Sequence, residues 1–213
     1  MSRVIKYHAI IADLDGTLYF QFPVQFCMLL NILFFCLTHP FKWKEPLIVR
    51  SYRKLYANGI NHLERCSQLA ERYNLRTCDV EQIIRNWMIN RPLLYVKAFR
   101  DKKLLDFLKG VQKLDVNVII YSDYPVVEKL KALDFIPDAA YSADDLECLK
   151  PSPKGLLYII EKNKLVISDC LFIGDKHEKD GKCAENAGMD YFILPKSNRR
   201  RRKTYDMLGM WFQ

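Results

Sequence analysis

An apolar run from Tyr7 to Ala12 that ends at once in Asp13-Leu14-Asp15-Gly16-Thr17 constrains this chain more than any other feature. A run this short and apolar reads as a strand buried on both faces, and Gly16 ends it. Residues two apart on a strand point the same way. Asp13 and Asp15 should therefore project together at the carboxyl end of a strand, where open α/β sheets take their ligands. Two carboxylates that close raise each other's pKa unless a cation sits between them. A hard divalent ion suits such oxygen ligands: Mg²⁺, with Mn²⁺ as the alternative.

The rest of the chain supplies the sheet. Helical spacing over 97–114 puts Phe99, Leu104, Leu105, Leu108 and Val111 on one side. Strands are expected at 116–121, 139–142, 170–173 and 191–194. Helices are expected from Pro125 to about Leu133, from Pro153 to about Asn163, and from Asp180 to Ala187. Strands alternating with helices indicate an α/β fold, a Rossmann-like doubly wound parallel sheet. Residues 20–94 break the alternation with helical patterns alone, such as Ile60 to Tyr73 and Val80 to Asn90. The expected organisation is a core domain of residues 1–19 and 95–213, with an inserted α-helical domain over 20–94.

Four segments carry a resemblance. Asp13-Leu14-Asp15-Gly16-Thr17 looks like the first motif of the haloacid dehalogenase (HAD) superfamily. Val118-Ile119-Ile120-Tyr121-Ser122-Asp123 resembles the second, Lys150-Pro151-Ser152-Pro153 the third, and Ile173-Gly174-Asp175 with Asp180 the fourth. The match is in order and spacing, and the nearest likeness is to the phosphoglycolate-phosphatase-like branch, with a helical cap inserted after the first motif. The resemblance implies Asp13 as the nucleophile and Asp15 as general acid and base. It implies Ser122 as a donor to the phosphoryl group, with backbone groups near Asp123 adding others, and Lys150 as the positive charge beside phosphate and Asp13. The metal would be held by Asp13, Asp175 and the backbone carbonyl of Asp15, with Asp180 as a direct or outer ligand. The dehalogenase branch lacks an Asp at the second position, so Asp15 favours phosphoryl chemistry over carbon–halogen cleavage.

Each segment has an ordinary reading taken singly. Asp-Gly is a common turn, Ser122-Asp123 would cap the helix near Pro125, Lys150 would be a solvated loop residue, and Asp175 a helix cap. It is their coincidence at four successive strand ends that carries the functional reading. Asp123 departs from the family pattern, since a further carboxylate is an odd neighbour for an anion. His177, in a Lys-His-Glu-Lys loop, reads as solvated.

Seven cysteines are scattered singly with no C-x-x-C pair, which argues against a zinc site and a disulfide framework and for a reducing compartment. The first expected strand begins near the N-terminus with no leader pattern, so the expected location is cytoplasmic. Net charge is +8, and six positive charges fall between Lys196 and Lys203. With apolar residues following at Met207, Leu208, Met210, Trp211 and Phe212, that run reads as a solvated turn before a docking helix. It gives no case for specific nucleic-acid binding. Val24 to Leu37 is short for a membrane span and interrupted by Asn31, so it reads as a buried cap helix, with a dimer interface, a greasy substrate pocket or weak membrane-surface contact as the alternatives.

The expected activity is Mg²⁺-dependent hydrolysis of a small phosphorylated metabolite through an aspartyl-phosphate. A sugar phosphomutase working through the same aspartate is the nearest alternative, and a non-catalytic binding protein of the same fold is the other class. Tyr19, Gln21, His39, Arg50 and Arg53 are candidate substrate contacts.

Overall fold

The structure is a computed structural model describing residues 6–146 and 148–212. Five parallel strands form one sheet: β1 (Ala9–Ala12), β2 (Asn117–Ser122), β3 (Ala139–Ser142), β4 (Cys170–Gly174) and β5 (Asp190–Ile193), in the order β3-β2-β1-β4-β5. β1 is central because it is apolar on both sides. Ile11 pairs in register with Ile119 of β2 and Phe172 of β4, and all three are fully buried. The chain winds from β1 to one edge, then crosses to the other, so the switch point of the doubly wound sheet falls at β1. The carboxyl ends of β1, β2 and β4 therefore lie side by side. Asp13 extends the ladder, donating its N–H to the Ile173 carbonyl at 2.8 Å.

The described residues divide into two compact units: those up to Gln21 together with those from Phe99 on, and Phe22–Ala98. The second unit is helical: α1 (Gln21–Thr38), α2 (Lys44–Ala57), α3 (His62–Tyr73), α4 (Thr77–Arg85), a π-helical turn (Asn86–Asn90) and α5 (Arg91–Ala98). Its core gathers Phe35, Ile48, Val49, Tyr52, Cys66, Leu69, Val80, Ile84 and Trp87. The indole of Trp87 donates to Glu45 at 2.8 Å, so its one polar atom is satisfied on burial. Arg65, fully buried, lies 4.5 Å over each of the Tyr52 and Tyr56 rings.

The first helix corrects an expectation. The stretch Val24 to Leu37 was expected to be buried, but only Val24 and Phe35 of α1 are. Phe35, with Met28 and Ile32 beside it, packs into the helical core. The opposite side, equally apolar, is exposed. Helical periodicity cannot distinguish two apolar faces, and only one of them has a neighbour here. By length and composition α1 is also apolar enough to cross a membrane.

In the α/β unit the helices are α6 (Lys102–Gln112), α7 (Val127–Leu133), α8 (Ala143–Leu146), α9 (Lys154–Lys162), α10 (Lys182–Ala187) and α11 (Asn198–Met210). Leu156 and Ile159 of α9 and Cys183 and Ala184 of α10 pack on the sheet face that presents Ile11, Ile119 and Phe172. The single helix expected over 97–114 is broken. Arg100 bridges to Tyr19, and the chain restarts at Asp101, whose carboxylate caps Leu104. The basic run is the second correction. Its arginines lie on the first turns of α11 itself, and Arg201 is buried. The seven cysteines are all free thiols. Burial pushes Cys66, Cys170 and Cys183 up to about 11, 11 and 12, so these three are unreactive near neutrality.

Candidate active site

Five carboxylates, Asp13, Asp15, Asp123, Asp175 and Asp180, are buried at the carboxyl ends of β1, β2 and β4. Two glycines make the gathering possible. Gly16 has φ +103°, a left-handed conformation open to glycine, and a β-carbon there would collide with the Asp175 carboxylate. A β-carbon on Gly174 would collide with Asp180. The turn in Asp-Leu-Asp-Gly and the Gly174 that ends β4 are thus small because a carboxylate occupies the space beside each.

Lys150 is the centre of the charge network. Its ammonium, buried, lies 2.5 Å from Asp13 and 2.7 Å from Asp180. It reaches them from the loop between α8 and α9, where the Lys150–Pro151 peptide is cis. Its backbone N–H donates to Asp123 at 3.2 Å, and Lys179 approaches the same carboxylate at 2.8 Å. Asp123 therefore holds the lysine loop. Burial opposes the charge on Lys150, but the facing aspartates outweigh it and raise its pKa.

Asp13 and Asp15 follow one another on the same strand end yet have different surroundings. Burial raises Asp13 to about 7, partly countered by Lys150 and reinforced by Asp180 and Asp15. Burial opposes ionisation at Asp15 as well. There it is outweighed by Lys129 at 2.5 Å and by hydrogen bonds from Tyr19 and from Ser122, the latter at 3.1 Å, and the pKa falls below the usual carboxylate value. The Ser122 hydroxyl, expected to face a phosphoryl group, is directed at Asp15 and accepts from the Tyr124 N–H at 3.1 Å.

Asp175 and Asp180 complete the cluster. Asp180 accepts from the backbone N–H groups of Asp175 and Lys176 at 3.2 and 3.1 Å. One Asp175 oxygen is buried without a hydrogen-bond partner, and burial raises the group's pKa. Carboxylate oxygens of Asp13, Asp175 and Asp180 lie within 4.8 Å of one another. Five carboxylates face four lysines: Lys129 and Lys150, which are buried, Lys179, half exposed, and Lys176, whose ammonium lies 4.0 Å from Asp175. Excess buried negative charge, a buried carboxylate oxygen with no hydrogen-bond donor and an all-oxygen donor set fit a hard divalent cation. A cation there would reverse the upward pressure on Asp13 and Asp175.

The cavity above this cluster is about 120 Å³, lined also by Gln21, Tyr124 and Lys176. Gln21 accepts from Lys176 at 3.0 Å. Of the candidate substrate contacts, Tyr19 and Gln21 belong to this unit. His39, Arg50 and Arg53 belong to the helical one. His177 lies outside the cavity lining and pairs with Tyr191.

Of the site residues that were not singled out from the sequence, Lys176 and Lys179 among them, two hold the others in place. Lys129 stands on α7 among Leu130 and Leu133, where an apolar pattern hides one inward lysine. Arg201 is the other. Its guanidinium donates to the Pro195 and Thr17 carbonyls at 2.8 and 2.9 Å and to the Gly16 carbonyl, and pairs with Asp101 at 3.2 Å. It clamps the back of the Asp13–Thr17 turn. Its only sequence signal is its position in a basic run followed by apolar residues.

The profile of haloacid dehalogenase-like hydrolases matches residues 7–188. No curated protein sequence matches the chain significantly. Among solved structures, a 2-haloacid dehalogenase from Pseudomonas syringae pv. Tomato is similar at TM-score 0.67 and 16% identity over 96% of this chain and 99% of that one. A putative HAD-hydrolase from Bacillus subtilis bound to magnesium is similar at 0.63 and 17%, over 96% and 99%. A β-phosphoglucomutase from Clostridium difficile is similar at 0.61 and 14%, over 97% of both. At these identities the structures speak for the fold alone. With the profile spanning most of the chain and its motif residues gathered around one cavity, the chain belongs to the haloacid dehalogenase-like hydrolases.

Proposed function

We propose that this protein is a phosphatase that hydrolyses a small phosphomonoester through an aspartyl-phosphate at Asp13. The observation carrying the reading is the pairing at one strand end of two differently tuned carboxylates: Asp13 facing Lys150 and the Asp175–Asp180 cluster, Asp15 facing Lys129, Tyr19 and Ser122.

In the first step an Asp13 oxygen attacks phosphorus. The new O–P bond forms as the ester P–O bond breaks, and the leaving oxygen takes a proton from Asp15. In the second, water attacks phosphorus, gives its proton to Asp15, and the bond to Asp13 breaks to release phosphate. Lys129 keeps Asp15 anionic in this arrangement, the state needed to accept that proton, so acid duty in the first step requires the carboxyl to move off Lys129. Lys150 offsets repulsion between the Asp13 carboxylate and the incoming phosphoryl group. A divalent cation held by Asp13, Asp175 and Asp180, with the Asp15 carbonyl as a further ligand, would neutralise charge on the transferring group.

Carbon–halogen hydrolysis, the activity in the name of one structural neighbour, has no use for a second aspartate that exchanges protons. Phosphomutase activity, named for another, would use the same residues. The test is phosphate release from a panel of phosphomonoesters with Mg²⁺, comparing wild type with Asp13→Asn. Release that depends on Asp13 is expected. Isomerisation of a sugar phosphate faster than phosphate release would favour the mutase, and equal release by both proteins would sink the assignment of Asp13.

A further inference from the structure

The outward side of α1 is an apolar surface that nothing in the catalytic reading uses. At about 100° per residue, Phe22, Phe26, Leu29, Leu33 and Leu37 fall within about 80° of one another, and Leu30 and Phe34 widen the stripe to about 140°. All seven are at least half exposed, and Phe22 and Leu37 are about four-fifths exposed. Just beyond the helix end, Phe41 is 96% exposed and Trp43 55%. Lys42 and Lys44 stand beside them, both exposed. No Asp or Glu occurs between Asp15 and Glu45, and residues 22–98 hold eleven Lys and Arg against five Asp and Glu.

We propose that this face docks on an anionic lipid bilayer, with α1 lying in the interface and not across it. Lying is dictated by the other side of the helix. Phe35, Met28 and Ile32 are committed to the helical core, and Asn31 accepts from Arg91 at 2.5 Å, so a spanning helix would have to abandon them. A continuous stripe of Leu and Phe matches the headgroup–acyl boundary, Phe41 and Trp43 match the depth that aromatic rings prefer, and Lys42 and Lys44 match lipid phosphates. Charge selects this occupant over a second copy of the chain. A two-fold pairing of the stripe would set lysine-bearing edges together, and the nearest acid, Glu45, is mostly buried and already engaged by Trp87 at 2.8 Å and Lys42 at 3.9 Å. Anionic headgroups answer them directly.

The test is co-sedimentation of the full chain with vesicles of phosphatidylcholine alone and of phosphatidylcholine containing roughly a quarter phosphatidylglycerol. The wild type should pellet with the anionic vesicles and much less with the neutral ones. Leu29→Asp with Leu33→Asp should weaken binding roughly a hundredfold, the far-ultraviolet spectrum being unchanged because both side chains are exposed. Lys42→Glu with Lys44→Glu should weaken it roughly tenfold. On the unmodified stripe, anionic vesicles should shift the fluorescence to the blue, and the shift should vanish in Trp43→Phe. Failure of the wild type to bind either vesicle overturns the proposal. So does equal binding by the leucine variant, which would assign attachment to another surface such as the start of α11. A dimer in light scattering that the leucine variant dissociates, with no vesicle binding, would make the face a self-interface instead.

Discussion

In the α/β unit buried charge is concentrated: five carboxylates and two buried lysines meet at three strand ends, and Arg201 with Asp101 sits just behind them. Among the described residues of the helical unit the buried side chains are apolar or aromatic save for Arg65, and what stands out is apolar surface left outside. The contrast teaches where each unit's specificity resides. Buried charges must be paired or neutralised, so the α/β unit tolerates few substitutions near its site. An apolar helix face needs only area, so the helical unit is locally permissive on its outer side.

The largest effect is expected at the nucleophile. Asp13→Asn keeps shape and removes the attacking oxygen's charge, and turnover should fall by about 10⁴ or more in a phosphate-release assay. Stability should change little by comparison, which separates chemistry from folding.

Next comes Arg201. Arg201→Met leaves Asp101 buried with Tyr205 as its remaining side-chain partner, and should cost about 3–5 kcal/mol in denaturant unfolding. Arg199→Ala and Arg202→Ala, exposed neighbours in the same run, should stay within about 0.5 kcal/mol. Equal effects along the run would erase the distinction between a buried clamp and a solvated charge.

The two sides of α1 offer the same contrast in apolar terms. Phe35→Ala removes a ring packed edge-on against Trp87 with centroids 5.0 Å apart, and should cost about 3 kcal/mol or more by thermal unfolding. Leu30→Ser on the outer side should cost less than about 0.5 kcal/mol.

The smallest effect expected is in the pH dependence. Asp13 is raised to about 7 in the fold without a cation. A raised acid binds a proton in the native state that the unfolded chain has released, so its contribution is full below about 4 and is lost as pH rises through 7. A cation needs the carboxylate form. The rise in melting temperature on adding Mg²⁺ should therefore be slight at low pH and grow as pH approaches and passes 7. A constant rise across that range would break the link between cation and Asp13.

How much of this could be read in the chain itself follows from the distance over which each signal acts. The sheet and four of its strand ends were legible because a doubly covered strand is an apolar run, and the residues ending it are neighbours in sequence. Asp13 and Asp175 were reached that way and Lys150 through its motif likeness, and the structure gathers the three. The exposed side of α1 was not legible, since a helix apolar on both sides carries no mark of which one is covered. Lys129 was hidden because one lysine scarcely disturbs a helical apolar pattern. Ser122 and Asp123 were read as serving the phosphoryl group, and the fold adds contacts to Asp15, Tyr124, Lys150 and Lys179, a choice among several donors and acceptors that spacing does not encode. Arg201 was read as solvated because its neighbours are, and its partners are 100 and 185 residues away.

That last separation has a consequence in time. Gly16 lies just past β1, and the guanidinium that holds its carbonyl is made 185 residues later. Until α11 is made and docked, the nucleophile's turn has its glycine and its strand but no clamp. Competence for chemistry should therefore appear late and abruptly during synthesis, long after the sheet's first pairings are available, and a nascent chain stalled before Arg201 should be a folded sheet in search of an active site.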